Sequence, residues 1–174
     1  PDLPPLGPGA RLLGIDPGTR VAGWGVIVCD GPRLRLAGCG VLKAPEKWVP
    51  AERLKLIFEG LEEVIARHHP AVAALEETFA GENPKSAIAM GQGRGIALLA
   101  LARAKLPVYE LSPSEIKKAV TGNGASSKGG VARMVCVRLA LETAPTPEDA
   151  TDALAAAIAL ANRIPLDLLR RHSR

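Results

Sequence analysis

Aromatic side chains are scarce in this chain, since Phe, Trp and Tyr make up only 3% of its 174 residues. The hydrophobic fraction is still 47%, and Ala, Leu and Val supply most of it. This composition is ordinary for a globular protein whose core is aliphatic. Any exposed aromatic ring in such a chain is therefore informative.

Cysteines are also few, and their pattern excludes two classes of protein. Cys29, Cys39 and Cys136 are odd in number and widely spaced, with no Cys-x-x-Cys pair and no histidine at zinc-ligand spacing. This pattern argues against a zinc module and a disulfide framework. We expect three reduced, mostly buried thiols.

Long apolar runs are absent as well. No stretch approaches the ~20 apolar residues of a membrane span, and the Pro-rich start lacks the charged and apolar regions of a signal peptide. We therefore expect a cytoplasmic protein with no membrane segment. The length fits one domain, which we place at residues 11–163 between disordered tails at 1–10 and 164–174.

Strand and helix patterns follow one another in a definite order. Three β-rich runs come first, and helical spacing then alternates with short buried-strand patterns. The predicted strands cover residues 11–16, 21–28, 34–42, 71–75 and 106–111, and the predicted helices cover 51–67, 85–105, 113–120, 128–141 and 147–163. This order predicts an α/β fold with a mixed five-stranded sheet flanked by helices.

Two acidic residues stand where strand-like runs end. Asp16 closes the first run, and Glu76 follows the buried run at 71–75. A strand that is reached through a helix usually lies parallel to an earlier strand, so these two strands should be parallel neighbours. The crevice of open α/β sheets lies outside the carboxyl ends of such strands. We therefore expect Asp16 and Glu76 to share that crevice.

A second acidic pair occurs near the start of the last predicted helix. Asp149 and Asp152 are three residues apart, so their side chains differ by only about 60° around a helix axis. Acidic residues in a first helical turn are also common stabilisers of the helix dipole, and the pair taken alone leaves both interpretations open.

Four converging carboxylates would need a counter-charge, because clustered anions repel one another. Oxygen ligands of this kind suit Mg²⁺ or Mn²⁺, and two such ions about 4 Å apart can promote phosphodiester hydrolysis. The net charge of +4 favours a polyanionic substrate around such a site. The predicted chemistry is metal-assisted cleavage of a nucleic acid backbone.

Several residues are candidates for contact with that substrate. Lys117 and Lys128 flank a loop at 122–127 that is rich in Gly, Ser and Asn, and Lys118 lies close by; cations around a loop suit phosphate contacts, although lysines also make helix ends soluble. Phe79 follows Glu76 by three residues and could stack on an unpaired base or pack in the core.

Arg94 stands in a Gly-rich segment. Its guanidinium could contact phosphate or stabilise its own helix, and the sequence does not decide between the two.

Five motifs occur in an order that resembles one known family. They read Gly-Ile-Asp-Pro-Gly at 14–18, Gly-Trp-Gly-Val-Ile at 23–27, Leu-Glu-Glu-Thr-Phe at 75–79, Gly-Gln-Gly-Arg-Gly at 91–95 and Asp-Ala-Thr-Asp-Ala-Leu at 149–154. Together they resemble the bacterial RuvC Holliday-junction resolvases over residues 11–163.

The resemblance implies a ribonuclease-H-like fold of the retroviral-integrase superfamily. It implies a homodimer that resolves four-way DNA junctions by paired symmetric nicks in homologous recombination and DNA repair, with Mg²⁺ or Mn²⁺ and possible cooperation with a branch-migration helicase complex. By position, Asp16, Glu76, Asp149 and Asp152 match the family's catalytic acids. Lys117 and Lys128 match basic residues implicated in DNA handling, and Phe79 matches a Phe near the crossover.

Three other functions are compatible with parts of the sequence. The segment 14–19 also fits the first phosphate hairpin of an actin-like or sugar-kinase-type ATP-binding domain, but this chain is too short for the second domain that such proteins need. An inactive DNA-binding relative is disfavoured because all four acids are present. A nuclease for another branched DNA or RNA is not separated by the residues alone.

Overall fold

The computed structural model describes residues 6–7, 9–77 and 84–164. Within that part the chain forms five strands and five helices. The strands are β1 (Ala10–Asp16), β2 (Val21–Asp30), β3 (Arg33–Lys43), β4 (Val72–Glu76) and β5 (Val108–Leu111), and the helices are α1 (Pro50–His68), α2 (Pro84–Arg103), α3 (Pro113–Thr121), α4 (Lys128–Leu139) and α5 (Glu148–Arg163).

The five strands form one mixed sheet in the order β3-β2-β1-β4-β5. The pairs β1/β2 and β2/β3 are antiparallel, whereas β1/β4 and β4/β5 are parallel. The helix α1 makes the parallel arrangement possible, because it returns the chain from the end of β3 to the start of β4 and buries Ile57, Leu61 and Val64. The predicted mixed five-stranded sheet is confirmed.

Helix α5 covers one face of the sheet at unusually short range. A Cβ atom added to Gly14 of β1 would lie 1.9 Å from the Ala153 carbonyl oxygen, and one added to Gly25 of β2 would lie 2.7 Å from the Leu154 side chain. Gly14 and Gly25 are paired across the two strands. Only residues without a Cβ permit this approach, so these glycines determine how deeply α5 seats on the sheet.

The opposite face of the sheet is covered by α1 and α2. Its core cluster includes Leu13 and Ile15 of β1 together with Leu61, Ala97 and Leu101 of the two helices. Near the carboxyl end of β1, α2 touches the β1–β2 turn, where a Cβ on Gly93 would lie 2.8 Å from the Gly18 carbonyl carbon. The fold is therefore a sheet between two helical layers, as the order of elements predicts.

The structure moves several of the predicted boundaries. Leu6 is buried and Ala10 already belongs to β1, so ordered packing begins before residue 11; at the other end Ile164 is buried against the core. Helix α2 ends at Arg103, and β5 begins only at Val108 because a turn intervenes. The predictions for residues 1–5, 8 and 165–174 lie outside the described residues. Among the described helices, none has the length and hydropathy needed to cross a membrane.

Candidate active site

Asp16 and Glu76 lie side by side at one edge of the sheet. Asp16 is the last residue of β1 and Glu76 is the last residue of β4, and these strands pair in parallel with Ile15 opposite Leu75. The expectation that the two acids end neighbouring parallel strands is confirmed.

The first turn of α5 brings Asp149 to the same edge. Gly23 of β2 is the cross-strand partner of Asp16, and a Cβ on Gly23 would lie only 2.0 Å from the Asp149 carbonyl oxygen. The helix can begin there because position 23 lacks a side chain. Asp152 lies nearly one turn further along α5, and its side chain faces a crevice that Glu76 also lines.

The electrostatics show that these acids act on one another. The pKa of Asp16 is raised to about 7, first by burial and then by the charges of Glu76, Asp152 and Asp149. The pKa of Glu76 is also raised to about 7, first by burial and then by the charge of Asp152. Four acidic side chains from three separate elements therefore lie near enough to act on one another electrostatically.

Lys128, the first residue of α4, offsets part of that charge. Its Nζ atom lies 3.0 Å from Glu148 Oε2 and 3.7 Å from Asp152 Oδ2. The hydrogen bond to Glu148, followed by the charge of Asp152, raises the pKa of Lys128. Burial raises the pKa of Asp152, whereas Lys128 lowers it. One lysine bridges the acidic cluster without neutralising it.

The crevice itself has a volume of about 220 Å³. Its charged wall consists of Glu76, Asp152, Lys117 and Lys128, all of which the sequence pattern singles out. Its apolar wall was not predicted and consists of Pro113, Ile116, Val131 and Ala155. Glu148 was also missed, although its position directly before Asp149 in the last motif was a usable signal.

Both lysines are held on well-capped helices. Ser112 and Glu115 form a capping box at the start of α3, and Ser127 Oγ accepts a hydrogen bond from Gly130 N at the start of α4. These caps define where α3 and α4 begin, and hence where Lys117 and Lys128 project. The predicted helix start at Ser112 and Pro113 is confirmed.

The loop between α3 and α4 is a hydrogen-bonded unit. The Thr121 hydroxyl lies 2.8 Å from the Lys117 carbonyl oxygen and 2.7 Å from the Ser126 hydroxyl, while Ala125 N donates to Asn123 Oδ1 at 2.9 Å. Short polar side chains of this kind stabilise tight loops by bonding to nearby backbone. The loop therefore couples the two lysine-bearing helices.

Two of the candidate DNA contacts, Arg94 and Lys118, do not line the crevice. Arg94 forms an ion pair with Glu110 of β5, and its side chain is only 24% exposed. Lys118 lines a separate recess with Glu115 and Arg163. Phe79 lies outside the described residues. DNA contact by these three residues stays a prediction.

The donor set fits a hard divalent cation. Carboxylate oxygens are the ligands that such ions prefer, and the raised pKa values of Asp16 and Glu76 show negative charge that a cation would offset. Across residues 6–7, 9–77 and 84–164, however, no three His, Cys, Asp or Glu side chains stand close enough to hold an ion as they are.

Comparison with known proteins identifies the family. The family model described as "Crossover junction endodeoxyribonuclease RuvC" matches residues 12–160. The protein of that name from Chloroflexus aggregans is 48% identical over 155 residues, covering 89% of this chain and 94% of that protein. The one from Roseiflexus is 46% identical over 148 residues, covering 85% and 88%.

Solved structures agree. Thermus thermophilus RuvC in complex with a Holliday junction substrate has a TM-score of 0.83 and 35% identity, covering 87% of this chain and 93% of that one. The yeast mitochondrial resolvase Ydc2, at 14% identity and a TM-score of 0.65, covers 90% and 80% and shares the fold. The ribonuclease-H-like fold is thereby confirmed. From the family model over residues 12–160 and these relatives, the chain belongs to the RuvC family of crossover junction endodeoxyribonucleases.

Proposed function

We propose that the protein resolves four-way DNA junctions by paired, symmetric nicks that depend on divalent metal. One observation supports this most directly: in a RuvC-family fold, the pKa of Asp16 is raised by burial and by the charges of Glu76 and two acids of α5, beside a crevice that Glu76, Asp152, Lys117 and Lys128 line. The solved Thermus thermophilus relative was obtained with a Holliday junction substrate, which supports the same substrate here. We assign the reaction to recombination and repair.

Enzymes of this family are divalent-metal-dependent nucleases. We assign metal binding to Asp16, Glu76, Asp149 and Asp152, with two Mg²⁺ or Mn²⁺ ions as the proposed complement. Bound ions would supply a water nucleophile and stabilise the leaving oxygen of the phosphodiester. The acids must be ionised to act as ligands, so their raised pKa values make protons compete with metal.

Lys117 and Lys128 are assigned to the DNA backbone. Lys117 lines the crevice beside Glu76, and Lys128 stands between Glu148 and Asp152. A lysine in that position can hold a phosphate next to the acids while screening part of their mutual repulsion. We expect both residues to contribute to binding through charge more than through base recognition.

We also assign the active form to a homodimer, because a two-fold junction suits a two-fold enzyme. Helix α2 offers a surface for it. Ile88 and Leu99 are 64% and 49% exposed, and a Cβ added to Gly91 or Gly95 would meet nothing within 4 Å. These four residues fall within about 80° around the helix axis, so they form one apolar face on which a second α2 can pack closely.

The dimer is tested by sedimentation at micromolar concentration. Ile88→Glu should convert the protein to monomers that no longer make paired nicks. Val137→Glu is the matched control, since Val137 is an equally exposed apolar residue on α4. If Ile88→Glu is still a dimer, α2 does not form the interface.

The function is tested by incubating the full chain with a mobile four-way junction, a linear duplex and a fork, with and without Mg²⁺ or Mn²⁺. Paired nicks on the junction alone, only with metal, are the expected result. Cleavage of the fork in preference would instead support a nuclease for another branched nucleic acid.

The resemblance supports two further assignments, a cytoplasmic location and cooperation with a branch-migration helicase complex.

A further inference from the structure

Two cations, Lys117 and Lys128, line the crevice beside the acids. Lys117 and Lys128 are carried by α3 and α4, and α3 directly follows β5, the strand at one margin of the sheet. The acids themselves are placed by the central strands β1 and β4 and by α5. A DNA backbone that crosses these acids can also run over the side of the sheet that β2 and β3 form.

The strand register places another lysine on that side of the sheet. Asp16 pairs with Gly23 of β2, and Val21, two residues from Gly23, pairs with Lys43 of β3. Residues two apart on a strand share a face, and so do directly paired residues on neighbouring strands. Lys43 therefore lies on the same face of the sheet as Asp16, at the same edge.

An arginine accompanies this lysine. Arg20 and Lys43 line one recess of about 390 Å³ between the β1–β2 turn and the segment after β3, together with Val21, Ala44, Pro45 and Glu46. Arg20 pairs with Glu46 at 2.8 Å, but the two side chains are 61% and 79% exposed. An ion pair this exposed contributes little and can exchange for a phosphate. Lys43 forms no ion pair among the described residues.

We propose that Lys43 and Arg20 form a second phosphate-binding site for the junction, on the β3 side of the acids. It would hold the backbone that passes Asp16 on that side of the sheet. The inference rests on the proposed function and names a contact surface that deepens it.

The first test is the salt dependence of junction binding by the full-length protein, without divalent metal so that no cleavage occurs. Lys43→Ala should lower affinity several-fold and reduce the slope of log K against log salt by about 1, the value for one lost phosphate contact. Lys43→Glu should lower affinity further. Arg33→Ala is the matched control, because Arg33 is an exposed cation at the opposite end of the same strand.

The second test locates the contact. Single methylphosphonates, which remove one backbone charge, are placed on each side of the scissile position. One position should weaken binding by the wild-type protein and by Lys117→Ala, but have no effect on Lys43→Ala. Thermal unfolding of each variant checks that the fold is kept.

The outcomes separate this inference from the proposed function. If Lys43→Ala had the same slope of log K against log salt as the wild type and Arg33→Ala, the second site would be overturned. That result would stand even if the wild type nicks junctions. A wild-type protein that fails to prefer junctions would instead overturn the proposed function.

Discussion

The two ends of α5 differ in how far their charged and polar side chains are compensated by partners. Its first turn adds Asp149 and Asp152 to a cluster in which the pKa of Asp16 is raised to about 7, and one lysine only partly offsets the repulsion. In its last turn, by contrast, Arg163 bonds Glu115 of α3 at 2.5 Å and Asn162 donates to the Ala119 carbonyl at 2.7 Å.

The last turn of α5 fixes the helix to α3 and α4, which carry the lysines of the crevice. Asn162 also accepts a hydrogen bond from Arg138 of α4 at 2.8 Å, so this one amide ties α5 to both lysine-bearing helices. Satisfied polar contacts of this kind make a scaffold rigid, whereas uncompensated charge marks a place where a ligand is expected. The same helix thus stabilises the crevice at one end and supplies its chemistry at the other.

The largest expected effect is among the acids beside the first turn of α5. Glu76→Gln should reduce cleavage of a four-way junction more than about 100-fold, above what changes to outer ligand partners cost, while junction binding is largely kept. Single-turnover cleavage with Mg²⁺ or Mn²⁺ measures the effect. Glu77→Gln is the matched control, because it changes the adjacent carboxylate, which does not line the crevice. Equal loss in both variants would contradict the assignment of Glu76.

A smaller but still large effect is expected where α5 crosses the sheet. Gly14→Ala would place a Cβ 1.9 Å from the Ala153 carbonyl oxygen and should lower the free energy of unfolding by about 1–3 kcal/mol or more. Urea denaturation measures it. A Cβ on Gly129, in the first turn of α4, meets nothing within 4 Å, so Gly129→Ala should be neutral or stabilising. Equal stability of both variants would show that α5 does not depend on the close contact.

Asn162→Ala tests the last turn of α5, where the side-chain amide is hydrogen-bonded to α3 and α4. It should cost about 1–2 kcal/mol, because the Ala119 carbonyl loses its side-chain donor and Arg138 loses its acceptor. Asn162→Asp keeps the acceptor for Arg138 and should recover part of the loss. Thermal unfolding followed by circular dichroism measures both. If α5 positions the lysines as described, junction affinity should fall in Asn162→Ala as well, with Asn162→Asp intermediate.

The smallest effect concerns the stability of the metal-free protein at different pH values. The pKa of Asp16 is about 7 when folded, against an ordinary value of 3.8, so between these values the unfolded chain releases a proton that the folded chain keeps. Stability should therefore fall as pH rises through this window. Asp16→Asn removes the cost of ionising this carboxyl in the folded protein. At pH 8 the variant should be about 1 kcal/mol more stable than the wild type, which corresponds to a Tm about 2–4 °C higher. Near pH 4 the difference should disappear.

The same measurement with metal sharpens the comparison. Mg²⁺ should raise the Tm of the wild type at pH 8 and have less effect on Asp16→Asn, since a ligand that binds only the folded state stabilises it. An Asp16→Asn variant that is less stable than the wild type at pH 8 without metal would contradict the account of the acids beside the first turn of α5.

Much of the site was predictable because it depends on local signals. Asp16 and Glu76 each close an apolar run, and the rule that a helical connection joins parallel strands was enough to place them together. Helical spacing predicted that Asp149 and Asp152 face the same way without deciding their role, and capping preference predicted Ser112. The Lys128–Glu148 pair and the Asn162 contacts were not predictable, since they join residues 20 to 43 positions apart through helix packing.

By itself the sequence determined the order of strands and helices, the aliphatic core and the carboxylates at strand and helix ends, because these depend on periodicity and nearest neighbours. Only the tertiary structure decided that α5 seats on Gly14 and Gly23, that Arg94 pairs with Glu110, and that Lys43 shares a face with Asp16. Those outcomes depend on strand register and on the depth of helix packing, which arise from contacts between distant segments and leave no periodic signal along the chain.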